Sequence, residues 1–64
     1  MSRNIAIKVA RAEKDLTQTA LADAVGISRQ TMNAIEQGTY NPTLKICRAI
    51  SKKLGKSLDE LFGE

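Results

Sequence analysis

Apolar residues recur along this chain at three- and four-residue spacing, in short blocks divided by residues that stop one helix and start the next. Leu21, Ala22 and Val25 share one face of a helix predicted from about Gln18 to Val25, with Thr17 as its N-cap. Gly26 ends that helix, because glycine takes the left-handed conformation of a helix terminus without side-chain strain. Ser28 starts the next one, and Ile27 before it is placed to staple against Met32. Met32 and Ile35 mark the inward stripe of this second helix, predicted from Arg29 to Gln37 and ended by Gly38. Two capped helices joined by a short glycine turn are the sequence form of a helix-turn-helix.

The flanks carry the same punctuation. Ile5, Ala6, Val9, Ala10 and Ala12 predict a first helix from about Ile5 or Ala6 to Lys14, although the alternation from Asn4 to Ile7 also fits the start of a short strand. Leu16 is expected to turn inward ahead of the Thr17 cap. Asn41 and Pro42 break the chain after the motif, and Thr43 caps a fourth helix. Its inner sector is predicted to hold Leu44, Ile46, Cys47, Ile50 and Leu54, with Lys45, Arg48, Lys52 and Lys56 opposite. Gly55 ends it, and Ser57 caps a last short helix with Asp59 and Glu60 in its first turn, where the helix dipole favours anions. Leu58, Leu61 and Phe62 are left to close the core. The fold class that follows is all-α, with five short helices and one domain over residues 1–64, the motif spanning about 18–37.

The outward face of the third helix carries the candidate chemistry. Arg29, Asn33 and Gln37 form one row at four-residue spacing, and Gln30 with Ala34 forms the next. A helix face selected for solubility alone tends toward Glu and Lys pairs. Arg, Gln and Asn instead offer forked donors and acceptors that pair with guanine or adenine edges in the major groove. The polar surface helix remains the competing reading of these side chains taken alone.

Composition narrows the function. At 64 residues the chain is near the size where only about 60% of the unfolded surface is buried, which leaves little room for an enzyme cleft. Ten Lys and Arg against seven Asp and Glu give a net charge of +3, a mild bias toward a polyanionic partner. Histidine is absent, which removes the commonest general base and zinc ligand. One cysteine builds neither a metal site nor an internal disulfide, so no cofactor and no metal are expected. Cys47 reads as a small core residue, with a redox-sensing thiol or an intersubunit disulfide as the other readings. Tyr40 and Phe62 are the two aromatic residues, too few for a single-strand stacking platform, so duplex DNA is the better polyanion. No signal peptide and no membrane span are written in the chain, and the expected compartment is the cytoplasm.

These pieces together resemble the Xre/Cro-type repressor family of helix-turn-helix regulators in its compact, single-domain form. The resemblance rests on Leu16 to Gln18, Ala22 to Ser28, Arg29 to Gly38, Tyr40 to Leu44 and Ser57 to Phe62, and so covers nearly the whole length. It implies a lambda-repressor-like DNA-binding domain whose third helix lies in the major groove. Arg29, Gln30 and Asn33 match base-reading positions. Thr17 and Gln18 stand at a helix N-terminus that holds a phosphate, Ser28 and Thr31 match contacts to the sugar-phosphate backbone or thymine methyls, and Thr39, Tyr40 and Asn41 lie in the loop that meets the next phosphates. Tyr40 has an equal claim as a loop anchor. Arg11 and Glu36 match a structural ion pair between the first helix and the end of the third.

The chain departs from the family pattern at Ala10, Ala20 and Ala34, and at Arg48, where relatives are often apolar. Ala34 offers no hydrogen bond to a base, only an apolar surface for a thymine methyl. The function implied is a sequence-specific regulator, a repressor occupying a two-fold operator as a homodimer. The dimer contact is expected from Ile5 and Ile7 or from the Leu58–Phe62 turn. The other class of reading is an antitoxin or co-regulator whose main contact is a protein partner.

Overall fold

The computed structural model describes residues 4–63, and every helix in it begins on a side chain that accepts from the first turn. Helix α1 runs Ile5–Glu13, α2 Gln18–Val25, α3 Arg29–Gln37, α4 Leu44–Leu54 and α5 Leu58–Phe62. Thr17, Ser28, Thr43 and Ser57 cap α2 to α5 as their positions predict. Ser57 and Glu60 complete a reciprocal capping box on α5. Asn4 caps α1, its Oδ1 accepting from the Ile7 N–H at 3.1 Å, so the alternation of Asn4 to Ile7 resolves as a helix start and not a strand. Lys14 lies just past the end of α1, as its C-cap.

The helix ends follow one rule. Gly26 and Gly38 both have φ of +80°, which turns the next N–H back onto the helix: Ile27 N–H donates to Ala22 O and Thr39 N–H to Ala34 O, each at 3.0 Å. Between α1 and α2 no glycine serves. Asp15 takes a left-handed φ of 55° there, and Leu16 N–H returns to Arg11 O at 2.9 Å.

The five helices close over one core of Ile7, Ala10, Leu21, Ala22, Met32, Ile35, Ile50, Leu54 and Leu61, all buried. Ile7, Leu21, Met32, Ile50 and Leu54 are fully removed from solvent, and side chains of this size contribute about 1.5–3 kcal/mol each when buried. Leu16, Val25, Ile27, Ile46 and Phe62 pack against them from partly exposed positions. Helix α2 packs on α3 and α4, α4 on α5, and α1 on both α5 and α3.

Two expected core positions differ. Leu44 is 58% exposed, because as the first residue of α4 it lies ahead of the turn that reaches the core. Cys47 is half-buried, its thiol near Pro42 O, and the partial burial pushes its pKa up. Lys56 also leaves the basic row of α4, since it lies beyond the Gly55 cap and pairs with Glu13 at 3.6 Å. Among the described residues no helix is long and apolar enough to cross a membrane.

Candidate nucleic-acid interface

Helix α3 is positioned from both ends. At its start the Ser28 hydroxyl oxygen accepts from Thr31 N–H at 3.0 Å and donates to the Thr31 hydroxyl at 2.9 Å. That exchange satisfies an orphan donor of the first turn and leaves two hydroxyls at the turn's outer rim. At the far end Glu36 is buried and receives two bonds from one guanidinium: Arg11 Nε to Oε2 at 3.2 Å and Nη2 to Oε1 at 3.3 Å. Arg11 Nη1 donates to Leu16 O at 2.9 Å, so a single side chain ties α1, the α1–α2 turn and α3. A forked pair of this kind fixes direction as well as distance.

A second clasp involves a residue that the sequence patterns did not single out. Asn4 N–H donates to Glu36 O at 2.8 Å, and Asn4 Nδ2 donates to Leu61 O at 2.8 Å. Both acceptors are carbonyls of a last helical turn, which have no partner within their own helix. Asn4 thus caps the start of α1 while closing the ends of α3 and α5. The signal available in the sequence was only an asparagine ahead of an apolar block, and the two distant partners were not legible.

On the outer face Arg29 and Gln30 stand exposed at the start of α3. The ion pairs among the described residues join Arg11 to Glu36 and Lys56 to Glu13, which leaves the Arg29 guanidinium without a carboxylate. Thr31 and Asn33 are half-buried beside them. Gln18, the first residue of α2, reaches across the motif: its Nε2 donates to Asn33 Oδ1 at 3.1 Å. Thr17 is exposed at the same helix start, its hydroxyl oxygen accepting from Ala20 N–H at 3.0 Å. At the other end of α3, Thr39, Tyr40 and Asn41 are exposed in the loop, with the Thr39 hydroxyl on Ala34 O at 3.3 Å.

The structure therefore brings Gln18 together with Asn33, and Ser28 together with Thr31. Arg29 and Gln30 continue the same surface, and the Thr39–Asn41 loop lies beyond the opposite end of the helix. A groove of about 430 Å³ runs beside this face between α1 and α3, lined by Lys8, Gln18, Asn33 and Gln37 with the Arg11–Glu36 pair. Lys8 and Gln37 were not among the expected contact residues. The signal for Gln37 was its place in the Arg29 and Asn33 row, whereas Lys8 enters only because α1 packs against α3. Arg48 is exposed on α4. Among the described residues no group of three or more His, Cys, Asp or Glu side chains is arranged to hold a metal ion.

Comparison with known proteins places this geometry. The helix-turn-helix family profile matches residues 7–61, from the first buried position of α1 to the buried leucine of α5. An HTH-type transcriptional regulator of Methanocaldococcus jannaschii, itself uncharacterized, is 45% identical over 56 residues, covering 88% of this chain and 85% of that protein. The immunity repressor protein of Bacillus phage phi105 is 38% identical over 58 residues, 91% of this chain and 40% of that protein. The cryptic phage CTXphi transcriptional repressor RstR of Vibrio cholerae is 33% identical over 58 residues, 91% of this chain and 52% of that protein. The chain belongs to the helix-turn-helix family of transcriptional regulators.

Proposed function

From that membership we propose that residues 1–64 act as one DNA-binding domain of a sequence-specific repressor, occupying a two-fold operator as a homodimer. Arg29, Gln30 and Asn33 are its base readers. Thr17, Gln18, Ser28, Thr31, Thr39, Tyr40 and Asn41 seat the sugar-phosphate backbone on either side. The observation that carries this reading is the pairing of Arg29 and Gln30, exposed at the start of α3, with a buried fork that fixes the helix behind them. A reading helix discriminates between bases only when its angle is held, because bidentate contacts fail with small displacements.

One helix reads too few base pairs to select a genomic site, so two protomers reading half-sites about 34 Å apart are expected. Of the two dimer contacts expected from sequence, Ile7 is unavailable, being fully buried. Ile5 at 64% exposure remains, as do the half-buried Leu58 and Phe62. The cytoplasm is the compartment that suits such a regulator. The reading as an antitoxin or co-regulator with a protein partner is less well supported, since the large exposed apolar residues among those described are Ile5, Val9, Tyr40 and Leu44, none of them on α3.

The test compares affinities for a selected operator and for random duplex. Arg29→Ala is expected to weaken operator binding by about 1–3 kcal/mol while random-sequence affinity changes less. Equal losses on both would remove the base-reading role. Light scattering on the saturated complex should give two protomers per operator, and one protomer would contradict the two-fold arrangement.

A further inference from the structure

A carboxamide has four hydrogen-bonding positions, two lone pairs on oxygen and two hydrogens on nitrogen, and which of them face a partner decides what it reads. The hydrogen bond from Gln18 Nε2 to Asn33 Oδ1 spans 3.1 Å between the first residue of α2 and the middle of α3. Both residues are half-buried, and both line the groove shared with Lys8 and Gln37. In a planar amide the oxygen and nitrogen diverge from one carbon. Turning Oδ1 toward Gln18 therefore turns Nδ2 away from it, with both hydrogens unspent.

A free asparagine recognises adenine with both edges, Oδ1 accepting from the N6 amino group and Nδ2 donating to N7. An asparagine whose Oδ1 is turned back to accept from Gln18 presents its Nδ2 donors first, its one remaining lone pair lying on the side that faces α2. Guanine offers two acceptors to such a group, N7 and O6, whereas adenine offers N7 and sets a second donor beside it. We infer that Gln18 is a specificity-setting residue: it holds the Asn33 amide with its donors outward, so that the base facing Asn33 is read as guanine in preference to adenine. This rests on the base-reading role proposed above for Asn33. It gives Gln18 a second task beyond any phosphate contact, that of setting sequence preference from the start of α2 without touching a base.

The test is the base preference at a single operator position, measured by sequencing duplexes selected from a random pool with the full chain and its variants. The position is defined as the one whose preference disappears in Asn33→Ala. Wild type is expected to favour guanine there. Gln18→Ala frees Oδ1, and Gln18→Glu supplies a carboxylate that accepts from Nδ2 and so turns Oδ1 outward. Both variants are expected to lower the guanine-to-adenine ratio at that position at least fivefold and to leave other positions unchanged, with Gln18→Glu also losing affinity uniformly through repulsion of phosphate.

A ratio unchanged in both variants, alongside a uniform loss of affinity, would overturn the inference and leave Gln18 a phosphate contact only. Adenine preferred by wild type would overturn it too. In either case the DNA-reading assignment of α3 stands. A wild-type chain that enriches no sequence at all would overturn that assignment and this inference together. Thermal melting of each variant shows which are folded, and either glutamine variant alone decides the outcome.

Discussion

Replacing Arg11 by alanine tests the clasp behind α3 and has a cost that follows from its geometry. The Glu36 side chain is 5% exposed and the Arg11 side chain 15%, so the carboxylate meets the guanidinium rather than water. Alanine at position 11 removes both bonds to Glu36 and the bond to Leu16 O, and leaves a buried charge without a counter-ion. Breaking a buried pair from one side costs about 3–5 kcal/mol. A domain of this size holds roughly 3–10 kcal/mol in all, at about 0.05–0.15 kcal/mol per residue. The variant should therefore sit near its unfolding threshold. Removing both charges together, as Arg11→Met with Glu36→Leu, strands neither partner and is expected to lie within about 1–2 kcal/mol of wild type. Urea unfolding at neutral pH, followed by circular dichroism, of wild type, Arg11→Met, Glu36→Leu and the double variant gives all four corners of the cycle. Single-variant losses below about 1 kcal/mol, or losses that simply add in the double variant, would refute the reasoning.

Two further predictions concern residues that act at helix ends. Asn4→Ala removes the cap on α1 and the bond to Leu61 O, two interactions of about 0.5–1.5 kcal/mol each. Asn4→Asp keeps the cap but loses the donor, so its urea midpoint should fall between those of wild type and Asn4→Ala, and a midpoint equal to wild type would contradict the tie to α5. On α5 the Ser57 backbone N–H, with its hydroxyl second, holds the Glu60 carboxyl below the usual carboxylate range. A lowered folded value means stability that is present above the unfolded value and is lost as pH falls through the folded one. Wild type and Glu60→Gln should therefore differ most near neutrality and converge in acid, and a difference that is flat with pH would exclude the charged cap.

The local grammar of this fold was legible because each boundary is a short-range event. Thr17, Ser28, Thr43 and Ser57 cap the first turn after them, and Gly26, Gly38 and Gly55 close the turn before them, within reach of a few residues. What escaped depends on how helices cross. Asn4 meets Leu61 across nearly the whole chain, and Lys8 joins the groove beside α3 only because α1 packs on α3. Apolar periodicity also overstated burial at Leu44 and Cys47, where a residue on the right sector lies at a helix end or on its flank. The Arg11–Glu36 pair was expected from family resemblance and is present in the structure with both bonds. Spacing alone would not have selected it.

For the candidate site the order was reversed. Residue types on α3 pointed to base edges before any geometry was known, since Arg29, Gln30 and Asn33 carry forked polar groups wherever the helix lies. The relation between them was hidden. Gln18 and Asn33 lie fifteen positions apart on different helices, and the bond between them exists only at the angle that the α2–α3 turn imposes.

The measurement that bears most directly on the central claim is selection of binding sites from random duplex DNA at stated salt, because it tests reading, symmetry and spacing in one experiment. The account predicts an enriched two-fold sequence whose half-site centres lie about 10–10.5 base pairs apart or a multiple of that, with the enrichment weakened at defined positions by Arg29→Ala and Gln30→Ala. Enrichment of no sequence, or of a motif that neither substitution on α3 disturbs, would contradict it.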